Sequence, residues 1–291
     1  MKKRISSLIL SGILALCMVF ALAACGSSDS GSEAPAPAPA GSSADAQAGS
    51  GNKEAGGAVS DMDQCVKKGK LVVGVTDFAP MDYQENGQWV GFDADLAKMY
   101  ADELGLDVEF IEIDWDNKIL ELNAGTVDCI WNGMTLTPEV AEAMSCSDTY
   151  ALNAQVVVMN KDKIANYKDA ESMKDLSFAV EAGSAGEEVA AEAGLNVNAV
   201  QNQAAALMEV AAGTSDACVI DKTMADAMTG EGTSYADLGY EVSLSSEEYV
   251  IGFRKGSDML DGLNSLLKGW KEDGTMKQLS EKYDNAVSIA E

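Results

Sequence analysis

The chain has 291 residues and a formal net charge of −27 at pH 7, from 47 acidic and 20 basic residues. Such a charge excludes binding to nucleic acid or anionic lipid through the overall field of the protein. Histidine is absent, which excludes Ser-His-Asp triads and histidine-ligated zinc, so we expect neither a cofactor nor a metal site.

The N-terminal segment, residues 1–24, has the features of an export signal. Met1–Arg4 is basic, and the mostly apolar run from Leu8 to Leu22 is short for a membrane span. Residues 22–25 read Leu-Ala-Ala-Cys and resemble a bacterial lipobox. The resemblance implies cleavage before Cys25 and lipidation of its thiol, and hence a protein lipid-anchored on the extracytoplasmic face of the cell membrane. The alternative is an ordinary signal peptide cleaved nearby.

Residues 25–60 consist mainly of Gly, Ser, Ala and Pro and include an Ala-Pro repeat at 34–39. Such a composition cannot bury a core, so we predict a disordered tether between Cys25 and the folded part.

Strand-length apolar runs alternate with helix-period segments from Lys70 onward. In chain order we predict a strand at Leu71–Val75, a helix at Phe92–Leu104, a strand at Val108–Ile113, a helix capped by Asp116 and ended by Gly125, a strand at Val127–Trp131, a helix starting at Thr137-Pro138, strands at Gln155–Met159 and Ser177–Val180, a helix after Gly183–Gly186, a helix at Gln203–Ala212, strands at Ala217–Ile220 and Tyr249–Phe253, and helices at Leu260–Trp270 and Met276–Tyr283. This alternation favours an α/β fold of parallel sheets with helices on both faces.

Four cysteines follow Cys25 at scattered positions: Cys65, Cys129, Cys146 and Cys218. None forms a CxxC pair, so a zinc cluster is not indicated. An exported protein can hold one disulfide, and the sequence leaves the pairing open.

Four stretches, at residues 74–80, 90–97, 132–139 and 216–221, together carry a family resemblance. They include Gly-Phe-Asp-x-Asp-Leu-Ala and Gly-Met-Thr-x-Thr-Pro-Glu, in that order. The chain from Lys70 to about Tyr283 resembles the family 3 (polar amino acid type) extracytoplasmic solute-binding proteins of ABC importers.

The resemblance implies a two-lobed periplasmic-binding-protein-like fold of type II, with two crossover hinge strands near Gln155–Met159 and Tyr249–Phe253. Lobe 1 is then about 61–157 plus 248–291, and lobe 2 about 158–247. It further implies a monomer that closes on a small polar solute and docks on a membrane permease with a separate ATPase.

The resemblance also implies a ligand site at the carboxyl ends of strands. Asp221 matches the family's acid for the ligand α-ammonium group, Gly133 would offer a carbonyl, and Thr135 a hydroxyl. For Asp221 the alternative is a helix N-cap without a ligand role, and for Phe78 it is simple core packing. The full set of expected ligand-binding residues is Asp77, Phe78, Trp115, Asn132, Gly133, Thr135, Ser184, Ala185 and Asp221, with Trp131 and Glu181 as further candidates.

The family's carboxylate-binding half is incomplete in this chain. Val140 stands where the family places the Arg that binds the ligand carboxylate, and Ala185 stands where Thr or Ser is usual. Arg254 lies in a predicted hinge segment. Two interpretations stay open: a cationic or amine-bearing solute, or an amino acid held by another anion site, either backbone N–H groups at 183–186 or a Lys.

Two other function classes remain alternatives. One is an enzyme of the cyclohexadienyl dehydratase type on the same fold, in which Glu181 would serve as the acid. Such chemistry needs a bidentate donor, such as an arginine, for the substrate carboxylate. Because Val140 stands at that position, we expect no enzymatic activity. The other is a ligand sensor without transport.

Overall fold

The computed structural model describes residues 60–291. The predicted signal segment, the lipidation at Cys25 and the tether up to residue 59 therefore lie outside the described residues. The helices are α1 (Asp61–Lys68), α2 (Phe92–Glu103), α3 (Lys118–Ala124), α4 (Pro138–Ala143), α5 (Lys161–Ile164), α6 (Ala185–Glu192), α7 (Gln203–Ala212), α8 (Lys222–Met228), α9 (Leu260–Glu272) and α10 (Thr275–Lys282). The strands are β1 (Lys70–Val75), β2 (Tyr83–Glu85), β3 (Gln88–Val90), β4 (Asp107–Glu112), β5 (Cys129–Thr135), β6 (Met144–Cys146), β7 (Ala151–Asn153), β8 (Gln155–Asn160), β9 (Ser177–Glu181), β10 (Asn196–Val200), β11 (Ala217–Asp221), β12 (Leu238–Ser243), β13 (Glu247–Arg254) and β14 (Ser288–Ile289).

The strands form two main sheets and a hairpin. The first sheet has the order β14-β7-β13-β5-β1-β4, with β6 paired to β13, and the second has the order β10-β9-β11-β8-β12. Strands β2 and β3 pair only with each other. The predicted two-lobed α/β architecture is confirmed, with one sheet at the centre of each lobe.

Both sheets are mixed, whereas strand–helix alternation alone predicted parallel sheets. β1 runs parallel to β4 and β5, and β9 runs parallel to β10 and β11. β13 is antiparallel to β5, and β8 is antiparallel to β11. Strands β5 and β11 end beside the cleft, whereas β8 and β13 begin there, because the chain enters each sheet from the cleft side. Each of these neighbouring pairs therefore runs in opposite directions.

The chain crosses between the sheets twice. The first crossing lies between Asn153, the last residue of β7, and Gln155, the first residue of β8. The second lies between Ser243 and Glu247, which end β12 and begin β13. Both crossings adjoin the carboxyl ends of β5 and β11, so a hinge motion there changes the space between the lobes.

Burial and capping explain why these elements form. Strand β1 is buried from Leu71 to Val75, as expected of a central strand covered on both faces. Helix α4 begins at Pro138 with Thr137 as its N-cap, as predicted. The predicted stop at Gly125 is confirmed as a left-handed C-cap.

Several element boundaries differ from the predictions. Asp116 does not cap a helix; it lies within a 3-10 turn at Trp115–Asn117 that precedes α3. The third strand runs on to Thr135, because β13 pairs with it up to that residue. The elements that the sequence did not indicate are mostly short or half-exposed: α1, β2, β3, α5, β6, β7, β10, α8, β12 and β14.

The cysteines of the described part are all free thiols. Cys65, Cys129 and Cys218 are buried, and Cys146 is partly buried. Burial raises the pKa of the Cys65 thiol to about 12, so these side chains act as small apolar groups in the core.

Candidate functional site

A cavity of about 390 Å³ lies between the two sheets. In lobe 1 its walls come from the segments that follow β1 and β4, from the end of β5 and from the start of α4. In lobe 2 they come from the ends of β9 and β11 and from α6. The volume lies within the range of small-molecule sites. Both lobes contribute polar side chains, so a ligand here would contact both at once.

The structure brings together eight of the nine expected ligand-binding residues. Those that line the cavity are Phe78, Trp115, Asn132, Gly133, Thr135, Ser184, Ala185 and Asp221, and Glu181 and Val140 line it too. Asp77 is partly buried but is not among the lining residues. Trp131 is fully buried beside Tyr100, in the core of lobe 1.

Asp221 is the N-cap residue of α8, yet its side chain makes no capping hydrogen bond. The carboxylate instead faces the cavity, where it accepts hydrogen bonds from Tyr249 (2.7 Å), Gln155 (3.2 Å), Gln203 and Asn153. The backbone N–H of Asp221 donates to Oε1 of Gln203 at 2.8 Å. The carboxylate is therefore held in one orientation by groups other than its own helix, which does not favour the N-cap alternative.

Glu247 joins these groups to lobe 1. Its Oε2 atom accepts hydrogen bonds from Thr135 Oγ1 (2.8 Å), Gln155 Nε2 (3.0 Å) and Asn153 Nδ2 (3.1 Å). Because Glu247 begins β13 and Gln155 begins β8, this network lies directly on both hinge crossings.

Two cavity carboxyls are buried from water. Burial and the charge of Glu247 raise the pKa of Asp221 to about 7, against the opposing hydrogen bonds of Tyr249, Gln203 and Gln155. Burial and the neighbouring Asp221 raise the pKa of Glu181 to about 8. Glu181 is 2% exposed, and its Oε1 atom has no hydrogen-bond partner within the described part of the chain. A cation in the cavity would stabilise the ionised form of both.

The lobe 1 wall is fixed by the amide of Asn132. Its Oδ1 atom accepts from the N–H and the hydroxyl of Thr76, and its Nδ2 atom donates to the Thr76 carbonyl and to Asp82. These four bonds use the full capacity of the amide, so the Asn132 side chain supports the wall rather than offering free groups to a ligand.

Gly133 occupies a position that requires glycine. Its φ is +52°, and a Cβ there would lie 2.6 Å from Cε1 of Phe78. Its N–H donates to Oδ2 of buried Asp93 at 2.6 Å. Phe78 and the Gly133 backbone therefore touch at the cavity wall, where sequence reasoning expected both.

The lobe 2 turn at residues 183–186 already holds a carboxylate of this chain. The N–H of Gly183 donates to Oε2 of Glu187 at 2.8 Å, and the N–H of Glu187 donates to Oγ of Ser184 at 3.1 Å. The expected backbone anion site is thereby reduced to the first N–H groups of α6, at Ala185 and Gly186, which have no intrahelical acceptor.

Lys118 spans the cleft. Its Nζ atom donates to the carbonyl of Gly183 at 2.8 Å and to the carbonyl of Trp115 at 3.3 Å, and lies 5.2 Å from the centre of the Trp115 ring. Since Lys118 belongs to lobe 1 and Gly183 to lobe 2, this bond links the two lobes. A Cβ at Gly183 would also lie 2.6 Å from Cα of Asp116.

Arg254 lies away from the cavity. Its guanidinium pairs with Asp61 at 2.8 Å, lies 3.5 Å from Asp128, and donates to the carbonyl of Val127 at 2.8 Å. It holds α1 against the first sheet and offers nothing to a ligand.

The polar residues that sequence reasoning missed at the site include Lys118, Gln155, Gln203 and Glu247. Gln155 and Glu247 did carry a signal, since each begins an apolar strand beside a predicted hinge. Gln203 is the first residue of a predicted helix, and Lys118 gave no local signal.

No cluster of three or more potential metal ligands occurs within residues 60–291. In the same range, none of the helices combines the length and the apolar character needed to span a membrane.

Comparison with known proteins gives consistent matches. The model of the family described as bacterial extracellular solute-binding proteins, family 3, matches residues 71–286. The arginine-binding extracellular protein ArtP of Bacillus subtilis (strain 168) is 30% identical over 281 residues, covering 93% of this chain and 95% of that protein. The L-cystine-binding protein TcyA of the same organism is 30% identical over 222 residues, covering 75% of this chain and 82% of that protein.

A solved structure agrees with these matches. An amino acid ABC transporter substrate-binding protein from Streptococcus pneumoniae, crystallised with L-arginine, aligns with a TM-score of 0.72 at 27% identity, covering 79% of this chain and 100% of that chain. These relatives are binding proteins and not enzymes, in agreement with the expectation for this chain.

Proposed function

Because the chain belongs to the bacterial extracellular solute-binding proteins of family 3, we propose that it is the solute-binding subunit of an ABC importer. Its ligand is a small amine-bearing amino acid or amino-acid-like solute, bound between the lobes. The observation that carries the proposal is the buried carboxylate of Asp221, oriented into a cavity lined by both lobes.

The cavity offers more acceptors than the protein itself uses. Oε1 of Gln155 and Oε1 of Glu181 are buried and have no partner among the described residues, and both residues line the cavity with Asp221. Unpartnered buried acceptors are costly unless a donor meets them. An ammonium or guanidinium group supplies several donors and a positive charge, which these acceptors need.

The relatives support an amino-acid ligand. One of them is named for arginine, one is named for L-cystine, and one was crystallised with L-arginine. Arginine carries a second cation besides its ammonium group, which suits a cavity holding both Asp221 and Glu181. We therefore place cationic amino acids first among the candidate solutes.

Transport requires partners that this chain does not supply. The loaded, closed protein would dock on a membrane permease powered by a separate ATPase, and would work as a monomer. The lobes expected at about 61–157 plus 248–291 and about 158–247 would move about the two hinge crossings. We draw their boundaries at the crossings themselves, so that β8 belongs to lobe 2 and β13 to lobe 1.

We also propose that the protein is a lipoprotein, cleaved before Cys25, with residues 25–60 as a tether. Growth of cells expressing the full chain with an alkyne-tagged palmitate tests this. The label should be on the wild-type protein and absent from Cys25→Ser, which should leave the membrane fraction. Equal labelling of both, or no label on either, would refute lipidation.

The experiment on ligand binding is a calorimetric titration of the unliganded protein with L-arginine, L-lysine, L-cystine, L-glutamate and L-leucine. We expect binding of arginine, lysine or cystine in preference to glutamate and leucine. Tight binding of glutamate alone, with no heat from any amine-rich solute, would overturn the proposal. Incubation with a cyclohexadienyl acid, followed by assay for aromatic product, tests the enzyme alternative, and no product is expected.

A further inference from the structure

Lys118 is a buried cation that lacks a counter-ion. The residue is 5% exposed, and its ammonium donates only to two neutral carbonyls, those of Gly183 and Trp115. An ammonium has three N–H donors, so one is left over. No ion pair involves Lys118 within residues 60–291, and a buried charge without a partner is costly.

The surroundings of Lys118 are otherwise acidic. It is the single basic residue among those described that line the cavity, which also includes the carboxyls of Glu139, Glu181 and Asp221. Burial lowers the pKa of Lys118, and the charges of Glu139 and Glu181 oppose that shift. These acids favour the protonated form of Lys118, although none of those described forms an ion pair with it.

The ammonium also lies beside a helix N-terminus. Its acceptor Gly183 directly precedes Ser184, the N-cap of α6. The first N–H groups of that helix, at Ala185 and Gly186, add partial positive charge to the same corner of the cavity. Val140, where the family pattern has an arginine, lines the same cavity and is fully buried.

We propose that Lys118 binds the carboxylate of the solute and thereby replaces the arginine that Val140 has lost. The inference rests on the proposed function and narrows it: the solute is a zwitterionic amino acid, with its ammonium group at Asp221 and its carboxylate at Lys118. Lys118 and Asp221 form no ion pair with each other among the described residues and belong to different lobes. One zwitterion therefore bridges the lobes and favours closure.

Matched ligand pairs test this directly. Arginine and agmatine differ by one carboxylate, as do lysine and cadaverine, whereas cystamine lacks both carboxylates of cystine. The affinity of each pair is measured by calorimetry for the wild type, for Lys118→Met and for Lys118→Gln. The control Lys67→Met removes an exposed lysine on α1.

The wild type should bind each amino acid about 10- to 100-fold more tightly than its decarboxylated partner, the range of one charge-assisted hydrogen bond. In Lys118→Met and Lys118→Gln this ratio should fall by about tenfold or more, while Lys67→Met leaves it unchanged. The affinity for agmatine should change much less than that for arginine.

Different failures have different meanings. Equal weakening of both members of a pair would overturn the inference and assign Lys118 to lobe closure alone, through its bond to Gly183. An unchanged ratio and unchanged affinities would overturn it as well. If neither member of any pair binds the wild type, the proposed function fails first. If both Lys118 variants fail to fold, the wild type alone still tests the inference. Equal affinities of the wild type for an amino acid and for its decarboxylated partner would refute carboxylate recognition.

Discussion

The hydroxyl of Tyr249 donates a hydrogen bond of 2.7 Å to Oδ1 of Asp221. Tyr249 is fully buried and lies on β13, directly after a hinge crossing, whereas Asp221 ends β11 in the other lobe. The acid that would meet the ligand is thus oriented by a hinge strand. Binding at Asp221 and movement of the hinge therefore share the same contacts.

Replacement of Asp221 by Asn should remove the negative charge and keep the shape of the site. We expect affinity for amine-bearing amino acids to fall about 10- to 100-fold or more, because the charge-assisted hydrogen bond is lost. Calorimetry with arginine and lysine measures this. The control Asp175→Asn changes an exposed acid of lobe 2 and should leave affinity unchanged; equal effects of the two variants would contradict the role of Asp221.

Glu181 predicts a pH dependence of stability in the unliganded protein. Burial raises its pKa from 4.5 to about 8, so the folded state holds this proton while the unfolded state releases it. The stability that the protonated Glu181 contributes to the folded state is fully present below pH 4.5 and is lost as the pH rises through about 8. Stability at pH 8 should therefore be lower than at pH 5.

Urea unfolding of the wild type and Glu181→Gln at pH 5, 6, 7 and 8 measures this contribution. The variant should lose less stability over that range, by on the order of 1–4 kcal/mol. Exposed Glu192 provides the control, since Glu192→Gln should keep the wild-type slope. If the free energy of unfolding changes with pH equally in the wild type and in Glu181→Gln, Glu181 is not protonated in the folded protein.

Closure should depend on the absence of a side chain at Gly183. A Cβ there would lie 2.6 Å from the backbone of Asp116 in the other lobe, so Gly183→Ala should resist closure and weaken ligand binding about tenfold or more. Gly194→Ala is a matched control, because Gly194 has a similar φ, +72° against +69°, and its nearest atom is Cε of Lys174 at 3.8 Å.

Both variants carry the strain of a left-handed alanine, so they should lose similar stability. Only Gly183→Ala should shift the ligand-bound protein toward the open form in small-angle scattering. Normal affinity and a closed scattering profile for Gly183→Ala would mean that the lobes do not approach at this point.

Arg254 should matter for stability and not for ligand choice. Loss of its pair with Asp61 and its bond to Val127 should make Arg254→Met less stable by about 2–4 kcal/mol in urea unfolding. Its ratio of arginine to agmatine affinity should equal that of the wild type, because the guanidinium lies outside the cavity. A reduced ratio would assign carboxylate binding to Arg254 instead of Lys118.

Much of the fold could be predicted from periodicity, because buried strands such as β1 and capped helices such as α4 depend on local sequence. Asp221 was predictable from the family resemblance, because it ends a predicted strand and matches the acid that the family places there. Lys118 was not predictable as a site residue, because the hydrogen bond that places it at the cavity is to Gly183, which lies in the other lobe and 65 positions away. The mixed sheets likewise follow from where the chain re-enters each lobe at Gln155 and Glu247, which local patterns do not encode.

The most direct test is a crystal structure of the protein with the tightest-binding solute from the titrations. We expect one molecule between the two sheets, with an amine nitrogen within about 3 Å of the Asp221 carboxylate. A solute bound outside this cavity, or one that turns an anionic group toward Asp221, would contradict the proposed mode of recognition.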